Sequence, residues 1–529
     1  MKARPFLTAI AGVLMALLLL VVALLWGIDR SSPLRLASRP LELPRAARFV
    51  PRQADLSLHW LADPVRLPAY VQAVVQPSER RASRDGARRW RDGAFALAGL
   101  DFERELAGWL GPELSLTLID AGDSGGSPGW VLALTSRDSD GARRFLQRFW
   151  QTRSLAGTDL QVSRYRGMGL ISGRGALLGR DPQPLATALI DDDLLLLASG
   201  RGVLEAALDV SQLQDQHQLG DQQLQQDLTA LGDGVALLTA SPHALQHWLQ
   251  LPSALAERPD LAGLVAALRP QGTDLAVEAR LRFRDRWDTQ AWSPLQDLAS
   301  EAGGSASWLA SLQDPARLLD RDDDHPFSQW FGPLLRAQLS NRSALTSIVG
   351  RDDGPLLWLQ QDQGWLLASR SGHPDLEAVS SELEADGLAR SQLAGDGETL
   401  QVWTRLMRQK GQGEGLKAQL AVATAQEAGR TWWGETLEGL QGRHDQRALQ
   451  PRLQQWQQLS QNHAPAQVVL LDSAPAQHLM ASWRPWTSLQ ALTGQPLQPR
   501  VRGLVLAAEP AGQDGEEPVL PLHARLQLG

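Results

Sequence analysis

The stretch LADPVRLPAY, residues 61–70, has a counterpart in LQDPARLL, residues 312–319. Both contain Asp-Pro-x-Arg-Leu, and Asp63 and Asp314 stand 251 residues apart. Further phrases recur in the same order. Gly111-Pro112 precedes ELSLTL, and Gly354-Pro355 precedes LLWLQ. GWVLALTSR (129–137) matches GWLLASR (364–370), and LAGTDLQV (155–162) matches LAGDGETLQV (393–402). VALLTASP (235–242) matches VVLLDSAP (468–475), and ARLRF (279–283) matches ARLQL (524–528). The offsets drift between 233 and 251 residues, as loop insertions would make them. One chain that writes the same phrases twice in one order reads as an internal duplication.

The local patterns agree with that reading. After the first Gly-Trp strand, Ala142, Phe145, Leu146, Phe149 and Trp150 make a helical stripe. After the second, Leu376, Val379 and Leu383 do so, with Pro374 near the start and Gly387 just past the end. LQVSRY and LQVWTR then alternate as strands do. The stripes Leu224-Leu228-Leu231 and Leu453-Trp456-Leu459 precede the strands at 235 and 468. Pro242 and Pro475 stand where helices would begin. Asp-Pro itself is a turn or helix-start signal, Asp capping and Pro occupying the first turn.

Short strands in hairpin-like pairs, mixed with single helices and lacking regular βαβ alternation, predict an α+β fold. The expectation is two tandem, internally duplicated halves with mostly antiparallel sheets, plus one N-terminal transmembrane helix. The segments are a tail and anchor (1–30), a Pro/Arg-rich linker (31–50), a first repeat (51–287), a Gly/Ser/Ala-rich join (288–304) and a second repeat (305–529).

The totals set limits. A chain of 529 residues exceeds one ordinary core. A net charge of −8 argues against a general nucleic-acid binder. There is no cysteine, so no disulfide and no thiolate metal site forms. Lysine occurs only at 2, 410 and 417, leaving arginine to carry the positive charge.

Residues 6–28, FLTAIAGVLMALLLLVVALLWGI, are 23 in number and uncharged. At ~1.5 Å per residue they span ~34 Å as a helix, enough for a hydrocarbon core of ~30 Å. A cleaved signal peptide would end in a small-x-small site, whereas this run ends Leu24-Leu25-Trp26-Gly27. An uncleaved anchor in membrane lipid is therefore expected. Arg30, Arg35 and Arg39 balance Lys2 and Arg4, so the flanking charges do not decide orientation. The short tail is expected to stay in the cytoplasm, with the body exported. The prolines at 33, 40, 44 and 51 favour an extended spacer whose arginines either rest on anionic headgroups or are solvated.

Catalytic and binding motifs fail on context. Gly125-Gly126-Ser127-Pro128-Gly129 fits G-x-S-x-G, but a strand follows it and Pro128 comes straight after the Ser, so it reads as a hairpin loop. His243 and His247 lack the Glu that a zincin needs at 244. DRDDDH (320–325) has His325 where a calcium loop needs Gly, and it reads as a solvated acidic turn, as does IDDDL (190–194). Gly173, Gly175 and Gly179 lack dinucleotide spacing. No catalytic residue, cofactor or metal site is identified. ERRASRDGARRWR (79–91) holds six arginines, which suit anionic lipid, an acidic partner or a solvated face. Tryptophan is abundant, 19 residues against 9 Phe and 2 Tyr. Core filling is the plain explanation; the sharper one is a Trp-lined cleft with Trp432, Trp433, Trp483 and Trp486 as candidates.

The N-terminal anchor, FVPRQADLSLHWLADPVRL, LDFERELAGWLGPELSL and ALIDDDLLLLASGRGVLEAAL together resemble the cyanobacterial family known as domain of unknown function 3352. The resemblance implies a membrane-tethered protein in a photosynthetic bacterium, its body in the periplasm or thylakoid lumen, and carries over no catalytic residues. The functional expectation is a membrane-anchored, non-enzymatic interaction or assembly protein with a membrane-protein partner and no nucleic acid. The alternative is a carrier or sensor of an apolar or glycan ligand.

Overall fold

Leu194–Ala198 is LLLLA, and all five residues are buried. A run without polar alternation belongs in a strand covered on both faces, and the computed structural model places it so. The structure describes residue 34 and residues 40–528 except 98–99, 120–128, 156, 176–182, 286–302, 304–305, 395–397, 409–415, 461–462, 494–497 and 511–517. Among the described residues no helix is long and apolar enough to cross a membrane. The uncharged run 6–28, residues 120–128 expected as a hairpin loop and nearly all of the join lie outside them.

The first half contributes β1 (Leu56–Trp60), β2 (Leu110–Ile119), β3 (Gly129–Ser136), β4 (Gln161–Tyr165), β5 (Met168–Gly175), β6 (Gln183–Ile190), β7 (Leu194–Ala198), β8 (Ala236–Ala240), β9 (Leu261–Gln271) and β10 (Asp274–Phe283). The second contributes β11 (Trp308–Leu312), β12 (Leu356–Gln361), β13 (Gly364–Arg370), β14 (Ala389–Ala394), β15 (Thr399–Arg408), β16 (Leu416–Glu427), β17 (Arg430–Gly434), β18 (Gln467–Asp472), β19 (Val501–Ala508) and β20 (Val519–Leu528). Every pairing is antiparallel. The first half runs β4-β5-β6-β7-β3-β2-β1-β8-β9-β10. The second runs β14-β15-β16-β17-β13-β12-β11-β18-β19-β20, strand for strand the same order.

The two series join where β10 pairs with β20, from Leu275 opposite Leu526 to Arg282 opposite Val519. Corresponding strands thus meet each other antiparallel, which is the form of a two-fold contact. The helices repeat it. From the first half come α1 (Leu67–Val74), α2 (Arg80–Leu97), α3 (Ser139–Leu155), α4 (Arg201–Val210), α5 (Gln222–Leu231), α6 (Pro242–His247) and α7 (Ser253–Ala256). From the second come α8 (Pro315–Leu319), α9 (Pro326–Leu339), α10 (Ser343–Val349), α11 (Leu376–Ala385), α12 (Leu437–Gln441), α13 (Gln446–Ser460), α14 (Ser473–Ser482) and α15 (Arg484–Thr493). Across the join α7 packs on α9, and α15 packs on α2.

The stripes predicted for α3 and α11 are the faces that pack: Ala142, Phe145, Phe149 and Trp150 are buried, as are Val379 and Leu383. Asp314 caps α8, accepting from the Arg317 amide at 3.0 Å. Asp63 accepts from the Val65 amide at 2.9 Å, in a turn that leads into α1.

One core ignores the boundary between halves. Leu245, Leu255, Leu281 and Phe283 share it with Phe327, Trp358, Trp365 and Trp433. Residues 41–50 are also part of the folded body and not a free spacer. Leu41, Ala46 and Phe49 are buried in the first half, and Arg45 pairs with Asp191 and Asp193 of the acidic β6–β7 turn. The other acidic turn is more enclosed than its composition implies. His325 is fully buried and caps α9 by accepting from the Phe327 amide.

Gly263 shows why glycine is needed at one point in β9. Its φ is +148°, and a Cβ there would lie 2.7 Å from the Ala240 carbonyl oxygen. Gly263→Ala is expected to cost ~2 kcal/mol, through backbone strain and a clash with a backbone atom that cannot yield. A urea titration read by circular dichroism should show the midpoint falling. An unchanged midpoint would mean that β9 relaxes freely here.

Candidate metal centre at the join of the two halves

Glu278 is the fifth residue of β10 and His523 the fifth residue of β20. The register sets them opposite each other, so side chains at the same place in the two halves meet on one face of the sheet. His523 Nδ1 is hydrogen-bonded to Glu278 Oε2. His463 enters from the segment between α13 and β18, its ring centroid 3.8 Å from that of His523. Its Nε2 lies 3.8 Å from Glu278 Oε1. Glu509, just past β19, completes the group. Its Oε1 is 3.0 Å from both His463 Nδ1 and His523 Nε2. Arg269 of β9 stands 3.6 Å from Glu278.

These side chains are largely withdrawn from water, from 12% exposed for His523 to 27% for Glu509. Burial alone would lower the pKa of His523, but its two carboxylate partners outweigh burial and raise it to about 9. His463 and His523 hold Glu509 down to about 2. Beside them lies a cavity of about 60 Å³, walled by Arg269, Glu278, Gln455, His463, His523 and Gln527. Among the described residues, the donor atoms of Glu278, His463 and His523 lie within 4.8 Å of one another. Two imidazoles and a carboxylate are ligands for a borderline divalent ion.

None of these four residues was singled out from the sequence. Histidines and glutamates spread over 245 residues show no ligand spacing. One signal was present: Glu278 and His523 immediately precede the repeated Ala-Arg-Leu of ARLRF and ARLQL.

The four candidate tryptophans do not line a cleft. Trp432 and Trp433 are neighbours on β17, so their side chains leave opposite faces of the sheet, and both are buried, in different cores. Trp486 is buried among Ala476, Met480 and Leu504. Trp483 alone is exposed, and its indole N–H donates to the Leu249 carbonyl at 3.0 Å. His243 pairs with Asp55 and stacks on His247, in a group separate from the join.

No curated protein matches the chain. Solved structures that resemble it include crystal form I of TP0453, with 10% identity and a TM-score of 0.28, covering 47% of this chain and 82% of that one. Crystal form III of TP0453 has 8% identity and a TM-score of 0.24, covering 47% and 83%. The profile described as protein of unknown function DUF3352 matches residues 9–517. With nearly the whole chain matched, the protein belongs to the DUF3352 family.

Proposed function

We propose that this is a membrane-anchored, non-enzymatic interaction protein. Its body is held outside the cytoplasm, in a periplasm or thylakoid lumen, and engages the acidic face of a membrane-protein neighbour. The observation that carries the reading is on α2. Arg80, Arg81, Arg84, Arg88 and Arg89 are exposed on this one helix, and none makes an ion pair among the described residues. Five guanidinium groups outnumber the exposed Glu79 and Asp85 beside them, so they repel one another, and an anionic surface relieves that cost. The sixth arginine of the run, Arg91, is buried against Phe102 and paired with Asp92 and Glu103, so it serves the fold. The uncharged run 6–28 supplies the tether. The shared strand order supports an origin of the body by internal duplication.

The full chain, tagged and extracted from its own membrane in mild detergent, should co-purify with a neighbouring membrane protein. Changing the five exposed arginines to Gln should reduce recovery at least ~10-fold, as loss of several charge contacts would. Absence of any partner above background would sink the proposal. Undiminished recovery by the Gln variant would remove α2 as the contact.

A further inference from the structure

The geometry points to a divalent transition-metal site of the zinc class at the join of the halves, with Glu278, His463 and His523 as ligands and Glu509 as the group that orients His463 and stands beside His523. A histidine that binds a metal through one ring nitrogen needs its other nitrogen held, and a carboxylate commonly does this. Here one atom, Glu509 Oε1, stands 3.0 Å from the outer nitrogens of both rings, His463 Nδ1 and His523 Nε2. The inner nitrogens, His463 Nε2 and His523 Nδ1, both turn toward the carboxylate of Glu278. The inner set of a two-histidine, one-carboxylate centre is therefore in place. Of the outer set the His463 Nδ1–Glu509 hydrogen bond is formed, whereas His523 Nε2 lies near Glu509 without being hydrogen-bonded. Two of the ligands and Arg269 sit on the adjacent strands β9, β10 and β20, a stiff support for a site that tolerates little misplacement.

Glu278 and Glu509 face Arg269 and the ring of His523, while Arg525 is taken up by Asp274 at 2.9 Å; a bound ion would take the place of the ring proton that His523 shares with Glu278. The cavity on the open side leaves space for a water or a small ligand as fourth donor. Glu278 belongs to the first half and the other three residues to the second, so neither half builds the site alone. The ion would act as a clamp across the β10–β20 seam. This inference is independent of the proposed partner: it requires neither the anchor nor α2.

The test uses full-length protein in detergent, stripped with a chelator and dialysed. Addition of Zn²⁺ should raise the unfolding temperature, because binding to the folded state alone stabilises it. Isothermal titration should give one ion per chain, and Co²⁺ should give the visible absorption of a tetrahedral or five-coordinate N/O site. His463→Ala should abolish binding, and Glu509→Gln should weaken it ~10–100-fold, the usual effect of losing an orienting carboxylate. His463 lies on a partly exposed connection, so its variant is expected to fold, checked by its circular dichroism spectrum. His243→Ala/His247→Ala, which removes an exposed histidine pair elsewhere, should bind as the parent does. Failure of the parent to bind Zn²⁺ or Co²⁺ at ~100 μM, a weak-site threshold on the affinity scale, would overturn the inference. So would binding that survives His463→Ala or disappears with the His243/His247 pair.

Discussion

Trp433→Ala is expected to destabilise the protein by ~3–5 kcal/mol, whereas Trp433→Phe is expected to cost no more than ~1.5 kcal/mol. Trp433 is wholly buried, with its ring centroid 5.7 Å from that of Trp403. It belongs to the core that joins the helices of the second half to Leu255, Leu281 and Phe283 of the first. Alanine removes the entire ring and leaves a cavity that two rigid strands cannot close. Phenylalanine keeps most of the ring volume. It also deletes an indole N–H that has no hydrogen-bond partner, and relief of that buried donor offsets part of the lost packing. Denaturant unfolding, followed by far-ultraviolet circular dichroism, measures both. An alanine variant within ~0.5 kcal/mol of the parent, the range of surface substitutions, would show that Trp433 is not a core residue. A phenylalanine variant as damaged as alanine would show that the indole N–H matters.

The architecture was legible in the sequence to the extent that buried strands at the same place in the two halves read alike. GWVLALTSR and GWLLASR became β3 and β13, VALLTASP and VVLLDSAP became β8 and β18, and ARLRF and ARLQL became the ends of β10 and β20. Each of these strands is packed or paired on both sides, so side chains there are fixed by several neighbours at once. The echo of LAGTDLQV in LAGDGETLQV is different. Gln161 opens β4, an edge strand, but Gln401 lies in β15, whose place in the order is that of β5. An edge strand such as β14 is exposed along its length and places few demands on its residues, so short resemblances there mislead. The linker expected over 31–50 gives way to folded chain from Leu41 on. Its prolines and arginines suggested a spacer, but six of the ten residues 41–50 are apolar, and Leu41, Ala46, Ala47, Phe49 and Val50 among them are buried.

The site was less legible than the fold. A metal or acid–base cluster is found in sequence when its members share a helix or a loop, because spacing then reports geometry. At the join the geometry comes from a strand pairing of residues 245 positions apart and from two connections on either side of β18 and β19. The tryptophans misled in the opposite direction, because adjacency in sequence suggested a shared cleft where the two-residue period of a strand sends neighbours to opposite faces.

Asp352→Asn is expected to stabilise the protein by ~2–4 kcal/mol at pH 8 and to leave stability nearly unchanged at about pH 4. Asp352 is fully buried at the turn before β12. Its Oδ1 accepts from the Gly354 amide at 3.0 Å, while Oδ2 has no hydrogen-bond partner. Burial first, and then the nearby charges of Asp353 and Asp314, raise its pKa to about 7; the Gly354 amide opposes them. A folded-state value above the ordinary carboxylate value means that the folded protein holds a proton the unfolded chain has released. The stabilising contribution is complete below ~4, the unfolded value, and is lost as pH rises through about 7. Asparagine keeps the acceptor for Gly354 and never ionises, so its advantage grows across that window. The buried histidines shape the acid side instead. Burial lowers His59 to about 4 and His325 to about 3, so each refuses a proton that the unfolded chain accepts below ~6.5, and stability falls as pH drops below that value. Both histidines are present in parent and variant, and their effect cancels in the difference. Urea midpoints of the two proteins at pH 4.5, 6 and 8 give that difference directly. A gap that does not widen with pH would mean that Asp352 is ionised in the folded state at low pH, with a cationic or hydrated partner supplying what its Oδ2 lacks.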